Sequence, residues 1–269
     1  MILDETINVL KNRHREYIKT LAIADVRVGV FMTAVTLSDG NAGVAGTLVP
    51  QNEEIHRKKE DRDFGDFTPN NISGKKVLEL LETSKKGSLI ESLKVATLNA
   101  ISSGIIENSD YTVLKNTDPI DLIDLNVPQT ITIVGAFQSY IRRISQTNNR
   151  LFVLEFNEEA LAEKHRKYYT PAQEYAKVLP VSDTVIITGL TLVNKTFENL
   201  LKAIKPGTQL VVTGPSSSFI PDVLFSKGVN VIGALKITDP ELMLKVVCEG
   251  GTGYHLFNYC AEKICIINE

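Results

Sequence analysis

The sequence predicts an α/β protein, a Rossmann-like doubly wound parallel sheet preceded by a smaller α+β domain. Three observations carry that prediction. Short apolar runs rich in β-branched residues recur through the second half of the chain. Segments with helix start and stop signals separate these runs, and strict strand–helix alternation marks a sheet wound with helices on both faces. The first half does not alternate; it shows a hairpin signal followed by two helical patterns.

The elements follow in order. The opening MILDETINVLKNRHREYIK reads as an amphipathic helix, with Ile7, Leu10, His14, Tyr17, Ile18 and Leu21 near one face. It lacks the apolar core and small-residue cleavage site of a secretory signal, and a cytoplasmic protein is expected. Arg27–Leu37 (RVGVFMTAVTL) and Ala42–Val49 flank the turn residues Ser38-Asp-Gly-Asn41, a hairpin. Glu53–Asp66 is densely charged and aperiodic, which predicts a solvated loop containing His56. Helical patterns follow at Lys76–Glu82 and Ser88–Ser102. Turn signals fill Gly104–Gln129 around a short helical stretch at Ile120–Leu125, and the domain boundary is expected there, giving 1–110 and 111–269.

In the second half the expected strands are Thr130–Ala136, Leu151–Phe156, Thr184–Thr188, Gln209–Thr213, Val229–Gly233 and Lys263–Ile267. Thr170-Pro-Ala-Gln173 has the form of a capping box, and Asp239-Pro240 opens a helix. Pro221 opens another that Gly228 ends, and Lys205-Pro-Gly207 closes the helix before it, which is expected to begin near Asn194.

Composition bounds the function. The 269 residues are 43% hydrophobic and 23% charged, an ordinary globular balance. The net charge of −3 gives no bulk attraction to nucleic acid or anionic lipid, and no apolar run approaches the roughly 20 residues of a membrane helix. A small-molecule ligand is the expected partner. The first-domain hairpin leaves an edge that a second copy could pair with, so a homodimer is the assembly such an edge permits. Cys248, Cys260 and Cys265 are odd in number and lack Cys-x-x-Cys spacing, which predicts buried free thiols rather than disulfides or zinc.

Ligands of open parallel sheets bind beyond the carboxyl ends of the strands, at the switch in strand order. Three strand ends here are small, hydroxylic and glycine-bearing. They are Gly135-Ala-Phe137, Thr188-Gly189-Leu-Thr191 with Asn194, and Thr213-Gly214-Pro215-Ser216-Ser217-Ser218. Each loop alone is explained by turns and caps; together they predict a binding crevice. Phe137 and Tyr140 stand where a dinucleotide fingerprint has its second and third glycines, so NAD or FAD bound in the usual way is not expected. Glu155 ends the second strand of this half, where such folds place the acid that binds a ribose diol, or else it caps or pairs locally. The sequence has no G-x-S-x-G, no H-E-x-x-H and no P-loop, and His14, His56, His165 and His255 do not cluster.

Gly189-Leu-Thr-Leu-Val-Asn194, Gly214-Pro-Ser-Ser217, the Pro221-to-Gly228 segment and Glu249-Gly-Gly251 resemble a family of prokaryotic proteins labelled putative heavy-metal chelation. The resemblance spans essentially the whole chain. It implies an enolase N-terminal-like domain joined to a Rossmann-like one, with a site at their junction. It also implies a role with small metal-chelating molecules, pterin-, flavin- or siderophore-like, which an enzyme would condense or hydrolyse. Two other readings stand beside it: a non-catalytic protein that binds a metal or its chelate, and an S-adenosylmethionine-dependent methyltransferase. Ile133 occupies the place of the acidic residue that opens many methyltransferase motifs.

Overall fold

The computed structural model describes residues 1–49 and 65–268. The expected charged loop at Glu53–Asp66, His56 included, falls almost wholly outside the described residues. Three strands, β1 (Ile23–Val28), β2 (Met32–Leu37) and β3 (Ala42–Gly46), form an antiparallel sheet in that order. The run Arg27–Leu37 is therefore two strands. Gly29 turns between them because its N–H reaches Met32 O at 2.8 Å, and a Cβ there would lie 2.2 Å from Val247 O.

The second sheet has eight strands: β4 (Thr112–Lys115), β5 (Thr130–Val134), β6 (Arg150–Glu155), β7 (Tyr169–Pro171), β8 (Thr184–Thr188), β9 (Gln209–Thr213), β10 (Val231–Ile237) and β11 (Ala261–Ile267). Their order is β4-β11-β10-β9-β8-β5-β6-β7. The run from β10 to β7 is parallel, and β11 alone runs against its neighbours. The fold is α/β and Rossmann-like. From β5 the chain winds one way through β6 and β7, then returns to β8 and winds the other way. The switch point lies between β5 and β8.

Strands buried on both faces read as continuous apolar runs. In β8, Val185 and Ile187 face one core cluster while Ile186 faces the other, and all three are fully buried. The larger cluster crosses from one sheet to the other: Leu10, Ile18, Leu93 and Ile101 share it with Val212, Ile220 and Ile232. At its centre lies the helix Ser88–Glu107, longer than the sequence pattern indicates. Its length and hydropathy match those of a membrane span, yet 67% of that window is buried within the protein. Its polar residues explain the placement. Ser92 Oγ accepts from Leu48 N (3.0 Å), and Ser102 Oγ accepts from Ile220 N (3.0 Å).

Four further expectations are corrected. The opening helix is two, Ile2–Arg13 and Arg15–Thr20, broken at His14. Thr170 caps no helix: it lies in β7 opposite Leu154, with Pro171 tolerated because β7 is an edge strand. Asn194 does not begin a helix. It closes the short helix Leu190–Val193, and its Oδ1 accepts from Thr196 N at 3.1 Å, holding a break at which Lys195 has φ +62°. Cys248 is exposed, while Cys260 and Cys265 are buried. The Asp239 cap is present, its carboxylate accepting from Leu242 N at 2.9 Å.

Candidate functional site

At the switch point the loops after β5, β6 and β8 enclose a hollow of about 260 Å³. Gly135, Glu155, Thr188, Thr191 and Asn194 line it, together with apolar Val134, Leu154, Leu190 and Leu200. Phe156, Gln173 and Tyr175 form part of its rim, and Phe156 is 70% exposed there. Gly135 is needed for the turn: its φ is +106°, and a Cβ would sit 3.2 Å from the methyl of Thr188. Thr191 donates to Thr188 O at 2.7 Å, which fixes the first turn of the helix behind the hollow. Glu155 is half-buried, and its Oε1 accepts from Phe156 N at 2.7 Å. Its other oxygen has no partner among the described residues.

Phe137 turns away from the hollow. It packs on the opposite face of the sheet and stacks on Tyr140, ring centroids 5.4 Å apart. Tyr140 donates to Asp118 in turn, and Lys263 donates to the other oxygen of that carboxylate at 2.6 Å. Burial, and then this bond, push the Tyr140 phenol far above its ordinary range, so it is a brace rather than a base.

The third loop is built into the joint between the two sheets. Gly214 has φ +122°, and Pro215 O accepts from the buried Asn99 Nδ2 at 3.0 Å. Ser216 Oγ accepts from Gly46 N at 2.8 Å. Ser217 Oγ lies 2.7 Å from Gly214 O and 2.9 Å from Gly233 O, and Ser218 Oγ accepts from Leu235 N at 3.1 Å. Thus five of the expected residues (Gly135, Glu155, Thr188, Thr191 and Asn194) meet at one hollow. Pro215 and Ser216 instead bond to the first half, and Gly214 and Ser217 are tied to Gly233 in β10. Gly189 is buried between these groups: a Cβ on it would come within 3.0 Å of Ser217 N.

Among the described residues the lining of this hollow starts at Val134, so the second half builds it alone. The joint has a separate hollow of about 200 Å³, between the end of the helix Ser88–Glu107 and strands β4, β10 and β11. Its rim charges Glu107 and Lys236 neutralise each other at 2.5 Å, and it lies at β4, β10 and β11, away from the switch point between β5 and β8 at which this fold binds ligands. Tyr175 and Asn199 escaped sequence reading because they come from an irregular turn and a helix face that no motif marks, and Gln173 reads there only as part of a capping box.

A metal bound by the protein alone needs several converging ligands. Among the described residues no three His, Cys, Asp or Glu side chains come together in that way. The described lining of the hollow offers one carboxylate, Glu155.

Comparison with known proteins matches two stretches of the chain. Residues 118–266 match the family model described as "Putative heavy-metal chelation" (DUF364), and residues 12–102 match a second model of the same description. The chain belongs to this heavy-metal chelation family. An uncharacterised protein of Methanocaldococcus jannaschii is 25% identical over 205 residues, 75% of this chain and 72% of that one. The crystal structure of a family member of unknown function from Pyrococcus horikoshii superposes with a TM-score of 0.77 at 22% identity, covering 99% of this chain and all of the other. A member from Desulfitobacterium hafniense gives 0.74 at 18% identity, over 99% and 97%. The two solved structures share this fold over 99% of the chain.

Proposed function

We propose that this protein binds a compact organic chelator, pterin-, flavin- or siderophore-like, in the hollow at the switch point, with any metal carried by the ligand. The observation that supports this most directly is the meeting of Gly135, Glu155, Thr188, Thr191 and Asn194 around one space of about 260 Å³. That volume is just below the ~300–1,000 Å³ of drug-sized pockets, so it suits one ring system and its substituents rather than a dinucleotide. Apolar walls with a few convergent polar groups are the usual make-up of a small-molecule site. The lack of a three-ligand cluster among the described residues favours a chelate over a bare ion.

Among the described residues Glu155 is the one carboxylate in the lining. A condensation or hydrolysis in the hollow would therefore move its proton through Glu155, with Asn194 and Thr191 orienting the ligand. The test is a thermal shift and calorimetric panel of pterins, flavin precursors and catechol chelators, each with and without a divalent metal, alongside adenosylmethionine. A ligand at 100 times its dissociation constant stabilises the native state by about 2.7 kcal/mol. Stabilisation by a chelator and not by metal alone supports the reading. Stabilisation by metal alone, or by no compound in the panel, defeats it.

A further inference from the structure

We propose that the hollow selects for charge: it accepts ligands that are neutral or cationic at the inserted end and rejects phosphorylated forms of the same compounds. This deepens the reading above and rests on it. Two independent features point the same way. The first is the lining, where among the described residues Glu155 is the only charged side chain and no Lys, Arg or His takes part. An anion placed there would face a carboxylate with no cation to offset it.

The second is the backbone. Folds of this kind hold phosphate with unpaired N–H groups at the ends of the strands. Here four of the amides beside the hollow are already engaged within the protein. Gly135 N donates to Leu154 O (2.9 Å) and Gly189 N to Thr213 O (2.8 Å). Phe156 N donates to Glu155 itself (2.7 Å), and Leu190 N to Thr188 Oγ1 (3.3 Å).

What remains to meet a ligand is neutral or accepting. Asn194 Oδ1 is held by Thr196, which leaves its NH₂ group to donate. The side chains of Gln173, Tyr175 and Asn199 have no partners among the described residues. The free oxygen of Glu155 accepts from hydroxyl or N–H groups. The ligand class is thus an uncharged or amine-bearing heterocycle with adjacent donors for Glu155, a base or pterin ring or a vicinal diol.

Titration calorimetry with matched pairs tests this: riboflavin and its monophosphate, adenosine and its monophosphate, and hydroxymethylpterin and its diphosphate. In any pair that binds, the unphosphorylated member should bind at least tenfold more tightly. Asn199→Lys, which adds a cation at an exposed lining position, should narrow that gap. Ala172→Trp, which fills the hollow, should abolish binding of both members. Equal or tighter binding of phosphorylated members, still abolished by Ala172→Trp, overturns the charge selection and leaves the hollow as the site. Binding that survives Ala172→Trp, or no binding in any pair, overturns both readings.

Discussion

The backbone N–H of Gly46, in the outer strand of the small sheet, donates to the hydroxyl of Ser216, in the loop after β9, across 2.8 Å. This bond joins residues 170 positions apart and uses a serine that strand-end logic assigns to ligand binding. Ser216→Ala would leave a half-buried donor without its partner, at a cost of about 1 kcal/mol. Denaturant unfolding should show that loss, while affinity for a ligand of the switch-point hollow stays unchanged.

Gly43 lies where β3 crosses the helix Ser88–Glu107, and a Cβ there would stand 2.3 Å from Ala100 N and 2.5 Å from Ala96 O. Both obstacles are backbone, so neither can rotate aside. Gly43→Ala should destabilise by about 3 kcal/mol, near the upper end for overpacking. Its midpoint in urea should fall with little change in slope.

Glu155→Gln keeps an oxygen for Phe156 N and removes the charge. Stability should stay within about 0.5 kcal/mol, as for most substitutions away from the core. Bonds to a charged group contribute about 1.5–3 kcal/mol, so affinity for a ligand that donates to Glu155 should fall about tenfold or more.

His165 is buried, and its Nδ1 has no hydrogen-bond partner. Burial first, then the charges of Lys164, Lys167 and Arg142, hold its pKa below the ordinary 6.5. The unfolded chain takes up this proton more readily than the folded one. The contribution of His165 is therefore intact above about pH 6.5 and is lost as pH falls toward the folded pKa. His165→Phe should flatten that part of the stability–pH curve in urea titrations between pH 7 and 5.

Of the three thiols, Cys248 is exposed, whereas burial pushes Cys265 up to about 12 and raises Cys260. Thiolate is the reactive form. A native-state thiol titration at pH 8 should count one fast-reacting group, and Cys248→Ser should remove it.

Most of the larger sheet was legible because its strands carry a local signal. Thr184–Thr188 and Gln209–Thr213 match the expected runs residue for residue. β4 and β7 were not legible: they are edge strands of four and three residues, held by pairing with β11 and β6 rather than by their own composition. The site divided in the same way. Gly135, Glu155 and Thr188 sit at strand ends that the parallel sheet positions. Hydroxyl-rich sequence alone cannot separate Ser216 from Thr191, because both are serviceable as ligand donors. What separates them is which distant backbone lies opposite: Gly46 for Ser216, and open space near Thr191.

The helix Ser88–Glu107 touches both sheets, with Asn99 bonded at once to Val44 O and to Pro215 O. A chain nicked in the turn between Glu107 and Thr112 would therefore yield complementary fragments rather than free-standing modules. Each would carry half of a shared interior into water. Co-expressed, the pieces should recombine into a working whole, which makes this turn a natural place to build a split reporter.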